Sequence, residues 1–126
     1  MRRTASCCCG SLSVEANAEP AKISLCHCKS CQRRTGSAFG VAVFFCANAV
    51  SISGNSQSFT RLGESGHPVE FHFCSACGST VYWYPHKRPD RIAVALGCFH
   101  DPIRAPDQAV HEQERAAWVS VQPHEN

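Results

Sequence analysis

The chain from residue 26 to residue 36 reads CHCKSCQRRTG, and three cysteines fall within six of these positions. Because Cys26, Cys28 and Cys31 are so close in sequence, their thiols can reach one metal ion across a single tight turn. Three protein ligands with one exchangeable position are typical of catalytic zinc, whereas four protein ligands are typical of structural zinc. The character of the predicted metal site therefore depends on whether a fourth side chain joins it.

Three side chains are candidates for that fourth position. His27 lies between two of the cysteines, and we expect its ring to point away from the metal. Cys46 and Cys98 lie in or beside apolar runs, where a lone cysteine usually packs as a small apolar side chain. We therefore predict an open position, at which a metal ion binds water or a thiol and lowers its pKa.

A second cysteine group is spread over the chain. Cys7 and Cys9 lie near its start, and Cys74 and Cys77 lie far along it. Gly78 follows the second pair and permits the left-handed backbone that a Cys-x-x-Cys turn uses. Four thiolates complete a tetrahedral zinc site. The two pairs therefore predict a structural zinc that joins distant parts of the chain.

Composition limits the kind of protein this is. The chain has 126 residues, of which 44% are hydrophobic and 17% are charged, so we expect one zinc-binding domain over residues 1–126. A chain of this size buries a moderate core, so its ten cysteines are not needed merely for folding. The formal charge of +2 falls close to neutral once thiolates and metal ions are counted. Together with scattered basic residues, this argues against nucleic acid as a partner.

The cysteines and the N-terminus indicate the compartment. Residues 1–6 carry positive charge with no apolar run after them, so we expect no secretory signal. No stretch approaches the roughly 20 apolar residues of a membrane span, and we expect no membrane partner. Free thiols persist in a reducing compartment. We therefore expect a cytoplasmic protein with clustered metal ligands, and a disulfide-stapled secreted domain is the alternative.

Short runs of alternating polarity fill most of the remaining chain and predict a mainly β fold. The first two predicted strands should form a hairpin, and the third should be buried on both faces. The tail at 101–107 should be a loop, and residues 110–118 give no clear periodicity. The predicted strands cover residues 11–16, 22–25, 37–45, 50–54, 58–62, 69–73, 79–84 and 91–97.

Arg33 and Arg34 directly follow the first cysteine cluster. A guanidinium beside a metal site can hold the carboxylate of a small anionic substrate by a bidentate contact, and solvated surface charge is the alternative. Cys8 should point away from the structural site along an extended strand. Surface positions are expected for the remaining histidines, which are His67, His72, His86, His100, His111 and His124.

The combined pattern resembles the glutathione-dependent formaldehyde-activating enzyme family, which also includes centromere protein V. The resemblance implies a Mss4-like fold of several small coiled antiparallel β-sheets around zinc. It also implies a structural zinc on Cys7, Cys9, Cys74 and Cys77 and a second, catalytic zinc on the cysteines of residues 26–31. The motifs that carry it are CxCG at 7–10, CHCxxCQRRTGS at 26–37, FCxxCGS at 73–79, residues 97–102 and Trp118.

The enzyme that gives the family its name joins formaldehyde to glutathione and is classed with carbon-sulfur lyases. The resemblance therefore implies two zinc ions per chain and an enzyme that joins or cleaves a small-molecule thiol such as glutathione and a small aldehyde. The alternative is a non-enzymatic zinc module that binds a protein or, less readily, a nucleic acid. That alternative predicts that protein atoms fully ligate both zinc ions.

Overall fold

A computed structural model of the chain describes residues 2–122, which form two β-sheets and one short α-helix. The helix α1 spans Lys29–Thr35. Three 3-10 turns span Ala47–Ala49, Leu96–Cys98 and Glu112–Glu114. The ten strands of the described residues are β1 (Arg3–Ser6), β2 (Ser13–Ala16), β3 (Lys22–Cys26), β4 (Gly40–Cys46), β5 (Val50–Ser53), β6 (Ser56–Leu62), β7 (Pro68–Cys74), β8 (Thr80–Pro85), β9 (Arg91–Ala95) and β10 (Gln108–Val110).

The strands divide unequally between the two sheets. The smaller sheet has the order β1-β2-β5, and the larger has the order β10-β3-β4-β9-β8-β7-β6. Strand makes up 44% and helix 13% of the structure, which confirms the mainly β prediction. Neighbouring strands run antiparallel except β10, which runs parallel to β3 with Val110 opposite Cys26. Among residues 2–122, no helix has the length and apolar character needed to span a membrane.

The predicted hairpin of the first two strands was wrong. Strand β2 pairs with β1 and β5, whereas β3 pairs with β4 and β10. The residues between them cross from one sheet to the other: the Asn17 N–H donates to the Ala49 carbonyl at 2.9 Å, and the Ala21 N–H donates to the Phe44 carbonyl at 2.7 Å. Alternating polarity shows which face of a strand is buried but not which strand lies beside it.

The central strand β4 separates two apolar clusters. Val43 and Phe45 are buried on the face that meets the smaller sheet, where they pack in the main core with residues such as Leu12. Ala42 and Phe44 lie on the opposite face and are partly buried in a smaller cluster. Burial is therefore complete on one face of this strand and partial on the other, and the partly buried face lines an open cleft.

The helix α1 was not predicted, because its three-residue cysteine spacing also fits a tight turn. It begins after Cys28, whose sulfur accepts a hydrogen bond from the Cys31 N–H at 3.5 Å, as an N-cap side chain does. It ends at Gly36, which has φ 66° and donates its N–H to the Gln32 carbonyl at 2.8 Å. Glycine favours this left-handed C-terminal position, so its place in the sequence was the available signal.

The turn between β5 and β6 lies close to the backbone of the segment that leads into β2, the neighbour of β5 in the smaller sheet. Gly54 has φ +99°, and a Cβ there would lie 2.0 Å from the Ser11 carbonyl oxygen. Gly66 has a similar φ of +82°, but a Cβ there would meet no atom within 4 Å. We predict that Gly54→Ala lowers the free energy of unfolding by at least about 2 kcal/mol more than Gly66→Ala, because only the first adds a backbone clash. Urea unfolding of the metal-loaded variants measures the difference, and equal losses would contradict the prediction.

Candidate metal centres and active-site cleft

Four thiols from distant parts of the chain meet at one point. The sulfurs of Cys7, Cys9, Cys74 and Cys77 all lie within 4.8 Å of one another. The Cys9 sulfur is 3.6 Å from that of Cys7 and 3.7 Å from that of Cys74. A tetrahedron with zinc–sulfur bonds of about 2.3 Å has sulfur–sulfur edges of about 3.8 Å. The spacing and the all-thiol donor set therefore fit a closed metal site.

Hydrogen bonds favour the thiolate form of two of the four cysteines, Cys74 and Cys77. The Ser11 hydroxyl lies 3.2 Å from the Cys74 sulfur, and with the N–H groups of Cys77 and Ala76 it lowers the pKa of Cys74 to about 7. The Ser79 hydroxyl, 3.3 Å from the Cys77 sulfur, is the main cause that lowers the pKa of Cys77 to about 5. These neighbours prepare both thiols for the deprotonation that metal binding requires.

Cys8 lies outside the four-thiol group, and its predicted extended strand was wrong. Residues 8 and 9 form a turn, which the Gly10 N–H closes on the Cys7 carbonyl at 3.1 Å. The Cys8 side chain is exposed, and its N–H donates to the Ser79 hydroxyl at 3.1 Å. The turn brings both ligand candidates of the CxC motif to one side, which a strand would also do.

A second group contains three thiols. Cys26 ends β3, Cys28 caps α1 and Cys31 lies in its first turn, and the three sulfurs lie within 4.8 Å of one another. The Gln32 side-chain N–H donates to the His27 carbonyl at 2.7 Å and ties the helix to the strand end. Within residues 2–122, no other cysteine, histidine or carboxylate belongs to this group.

The three candidates for a fourth ligand lie elsewhere. His27 is fully buried with its ring 6.1 Å from Phe39, edge to face, and neither ring nitrogen has a hydrogen-bond partner in the described part of the chain. Cys46 is exposed at the end of β4. The Cys98 thiol is partly buried, 3.8 Å from the Thr80 carbonyl. None of these three candidates belongs to the three-thiol group of the described residues.

Two thiols of the three-thiol group differ strongly in pKa. The hydrogen bond from Cys26 is the largest cause that lowers the pKa of Cys31 to about 5, and Arg34 and Arg61 contribute through their positive charge. The same hydrogen bond, together with burial, raises the pKa of Cys26 well above its ordinary value. Without metal, Cys31 is therefore the thiolate, and Cys26 keeps its proton.

The three cysteines open into a cleft of about 330 Å³. Its floor is the face of the larger sheet opposite the main core. On this face the rings of Phe71 and Trp83 lie 5.4 Å apart. The Arg34 guanidinium lies 4.3 Å from the Trp83 ring centre, and the Arg61 guanidinium lies 5.1 Å from that of Phe71. Both distances are within the range of cation–π attraction, so aromatic rings hold two positive charges beside the thiols.

Arg34 and Arg33 occupy different environments. Arg34 is partly buried in the cleft, and burial lowers the pKa of its guanidinium while the Cys31 thiolate opposes the shift. Its Nε atom is buried without a hydrogen-bond partner in the described residues. Gly40 makes room for this side chain, since a Cβ there would lie 2.5 Å from Arg34 Nη2. Arg33 is exposed and lies outside the cleft.

Sequence reasoning missed two cleft residues, Arg61 and His111. Arg61 lies on β6, far from the cysteine motifs in sequence, and only strand alternation could have placed it on this face. His111 has φ 57°, an uncommon left-handed conformation for a side chain other than glycine, and it lines the cleft. His111 is thus partly exposed at the cleft, and it belongs to neither cysteine group of the described residues. His124 lies outside the described residues.

His72 departs from the surface prediction. Its side chain is only 16% exposed, because its ring stacks on Tyr82 with centres 4.7 Å apart. Its Nδ1 lies 2.8 Å from the Ser56 hydroxyl, and its Nε2 lies 2.5 Å from the Glu70 carboxylate. This polar cluster lies on the face of the sheet opposite the cleft.

Comparison with known proteins extends the family resemblance over nearly the whole chain. A sequence profile described as glutathione-dependent formaldehyde-activating enzyme matches residues 2–120. A Halomonas elongata protein, provisionally named as such an enzyme, is 23% identical over 128 residues, which cover 95% of this chain and 81% of that protein. A Schizosaccharomyces pombe protein named as an uncharacterized lyase is 32% identical over 77 residues, or 61% of this chain and 53% of that protein.

A solved structure shares the fold. The crystal structure of a Rhodobacter sphaeroides protein aligns with a TM-score of 0.58 at 18% sequence identity. The alignment covers 77% of this chain and 87% of that chain. At this identity the likeness concerns the fold alone. The sequence matches, by contrast, confirm the family resemblance of the cysteine motifs.

The uneven protonation of the three-thiol group can be measured by alkylation of the metal-free, folded protein. Because the pKa of Cys31 is lowered to about 5, its thiolate is present above that pH and is lost as the pH falls through it. We predict that iodoacetamide labels Cys31 half-maximally near pH 5 and does not label Cys26 at neutral pH, as read by peptide mass spectrometry. Arg34→Gln should move the Cys31 midpoint to higher pH, because it removes a stabilising charge. Equal labelling of the two cysteines near pH 9 would contradict the prediction.

Proposed function

The chain belongs to the glutathione-dependent formaldehyde-activating enzyme family, and we propose that it is a zinc-dependent carbon-sulfur lyase-like enzyme. Its substrates are a small-molecule thiol such as glutathione and a small aldehyde such as formaldehyde, which it joins or separates. The observation that carries the proposal is the three-thiol group of Cys26, Cys28 and Cys31, which faces a cleft and has no fourth ligand among residues 2–122.

We propose one zinc ion at each thiol group. Soft thiolate donors select zinc over the oxygen-preferring magnesium and calcium ions. The group of Cys7, Cys9, Cys74 and Cys77 would fill all four positions and act as a structural site. At the three-thiol group, a bound zinc ion supplies positive charge that stabilises a thiolate and polarises a carbonyl oxygen.

The cleft residues bind and orient the thiol substrate. Arg34 and Arg61 present two guanidinium groups in the same cleft as the three cysteines, and guanidinium binds carboxylate through paired hydrogen bonds. Glu64 lies at the same cleft and can pair with the ammonium group of an amino acid. Glutathione carries two carboxylates and one ammonium, so the charges of the cleft complement it. Its sulfur is then directed toward the cysteine end of the cleft.

The reaction also requires a proton transfer. The thiol sulfur bonds to the aldehyde carbon, and the S–H proton moves to the carbonyl oxygen, which gives a hydroxymethyl thioether. His111 lines the cleft, with its Nδ1 3.9 Å from the Glu114 carboxylate. We assign the transfer of this proton to the His111 imidazole, because it lines the same cleft as the three cysteines and histidine is the commonest general acid–base group in enzymes.

The alternative of a non-enzymatic zinc module is less well supported. It requires that protein atoms fill every position of both zinc ions. Only the four-thiol group supplies four ligands within the described residues. The ten free cysteines are also consistent with the cytoplasmic location that we propose, because thiols stay reduced there.

Metal stoichiometry tests the two zinc sites. We predict two zinc ions per chain in native mass spectra of the wild-type protein and of Cys46→Ser, whose exposed thiol lies outside both groups. Cys28→Ser should lose only the zinc of the three-thiol group. Cys77→Ser should lose the structural zinc and lower Tm by at least about 10 °C, because metal binding contributes to folding free energy. Two zinc ions in both ligand variants would contradict the assignment.

Turnover tests the enzyme and its carboxylate contact. Exchange NMR of glutathione with formaldehyde separates catalysis from the spontaneous reaction. We predict that Cys28→Ser abolishes catalysis. Arg34→Met should raise KM for glutathione about tenfold or more with a smaller effect on kcat, since a charged hydrogen bond contributes about 1.5–3 kcal/mol. Arg88→Met, which alters an exposed arginine paired with Asp90, is the matched control. If folded Cys28→Ser protein retained wild-type turnover, the proposed function would be abandoned.

A further inference from the structure

A second pocket adjoins the cleft on the far side of two arginines. Its volume is about 510 Å³, within the range of small-molecule sites. Arg34, Arg61 and Phe71 line both the cleft and this pocket, so the two spaces share one wall. Phe59 and Phe73 line the pocket and do not line the cleft.

Strand pairing builds the aromatic wall of this pocket. Phe59 of β6 lies directly opposite Phe71 of β7. Phe73 follows two positions later on the same face, and an irregularity after His72 brings it opposite Thr80 of β8. Three aromatic rings therefore line the pocket on one side, and α1 contributes Arg33 and Arg34 on another.

The outer part of this aromatic wall is exposed to solvent. Phe71 is only 7% exposed, because it packs against Trp83, whereas Phe59 is 62% exposed. A single exposed apolar side chain is ordinary on a protein surface. Phe59, however, forms one side of a concave pocket whose deeper walls are also aromatic, so an apolar ligand group can cover it.

The charged side chains that line the pocket are all positive. Arg33, Arg34 and Arg61 line it, and no carboxylate of residues 2–122 does. The Arg34 Nε atom is buried and has no partner among residues 2–122. An aromatic wall beside three guanidinium groups fits a molecule that joins an apolar body to a carboxylate.

We propose that this pocket is a specificity subsite for an aryl or branched-alkyl group on a carboxylate-bearing thiol. The carboxylate lies between Arg34 and Arg61, the sulfur points to the three cysteines, and the apolar group fills the space between Phe59 and Phe73. A cavity of roughly 150 Å³ holds a benzene ring, so the pocket is large enough. Glutathione has no such group and would leave the pocket unfilled. The thiol part of this inference rests on the proposed function.

Binding of simple acids tests the subsite without catalysis. Calorimetry on the zinc-loaded protein should show 3-phenylpropionate binding at least about tenfold more tightly than propionate. Phe59→Ala should weaken 3-phenylpropionate about three- to tenfold, the range expected for one aromatic contact. Leu62→Ala is the matched control, because Leu62 is a 69% exposed apolar residue of the same strand outside the pocket. Arg61→Gln should weaken the binding of both acids.

Equal affinity for the two acids, or equal effects of Phe59→Ala and Leu62→Ala, would overturn the subsite.

A turnover assay with two thiols separates failure of the subsite from failure of the proposed enzyme function. It uses formaldehyde with 3-phenyl-2-sulfanylpropanoate and, separately, with glutathione. The inference expects a higher kcat/KM for the aryl thiol, and Phe59→Ala should reduce that preference. Catalysed glutathione turnover without selective acid binding would overturn the subsite alone. Selective, Phe59-dependent acid binding without turnover of either thiol would support the subsite and overturn the proposed function.

Discussion

The convergence of four sulfur atoms is the constraint on which the arrangement of the two sheets depends. Cys7 and Cys9 come from the segment after β1 of the smaller sheet, whereas Cys74 ends β7 of the larger sheet and Cys77 lies in the turn that follows it. A metal ion at this point would join the sheets at one end of the core that they bury together. The opposite face of the larger sheet is then left free to form a cleft.

Arg34 connects the parts of that cleft. Its guanidinium stacks on Trp83, contributes to the lowered pKa of Cys31 and lines both the cleft and the adjoining aromatic pocket. One side chain therefore favours the thiolate form of Cys31 and also borders the space where a substrate carboxylate would bind. Gly40 leaves the room that this arrangement needs.

Cysteine spacing was informative because thiols only a few residues apart can meet with little help from the rest of the fold. The three-thiol group was predicted for this reason, whereas the four-thiol group was predicted because two distant pairs supply the four ligands of a tetrahedral site. The mainly β class followed from the runs of alternating polarity. The pairing of β2 with β1 and β5 did not, since alternation carries no information about partners. Arg61 was missed for a related reason: its place beside the thiols depends on the register between β6 and β7, which is set by the whole sheet. The helix α1 could have been found from Gly36, the glycine at its C-terminal end.

Strand β10 has a consequence for the order in which the site is completed during synthesis. The three-thiol group comes from residues 26–31, so a ribosome releases all three of its cysteines early. The four-thiol group must wait for Cys77, and the rim of the cleft must wait for Val110 and His111, which β10 brings beside Cys26. The three cysteines are thus synthesised well before the residues that border one side of the cleft, and β10 can complete that side only after β3 has been made.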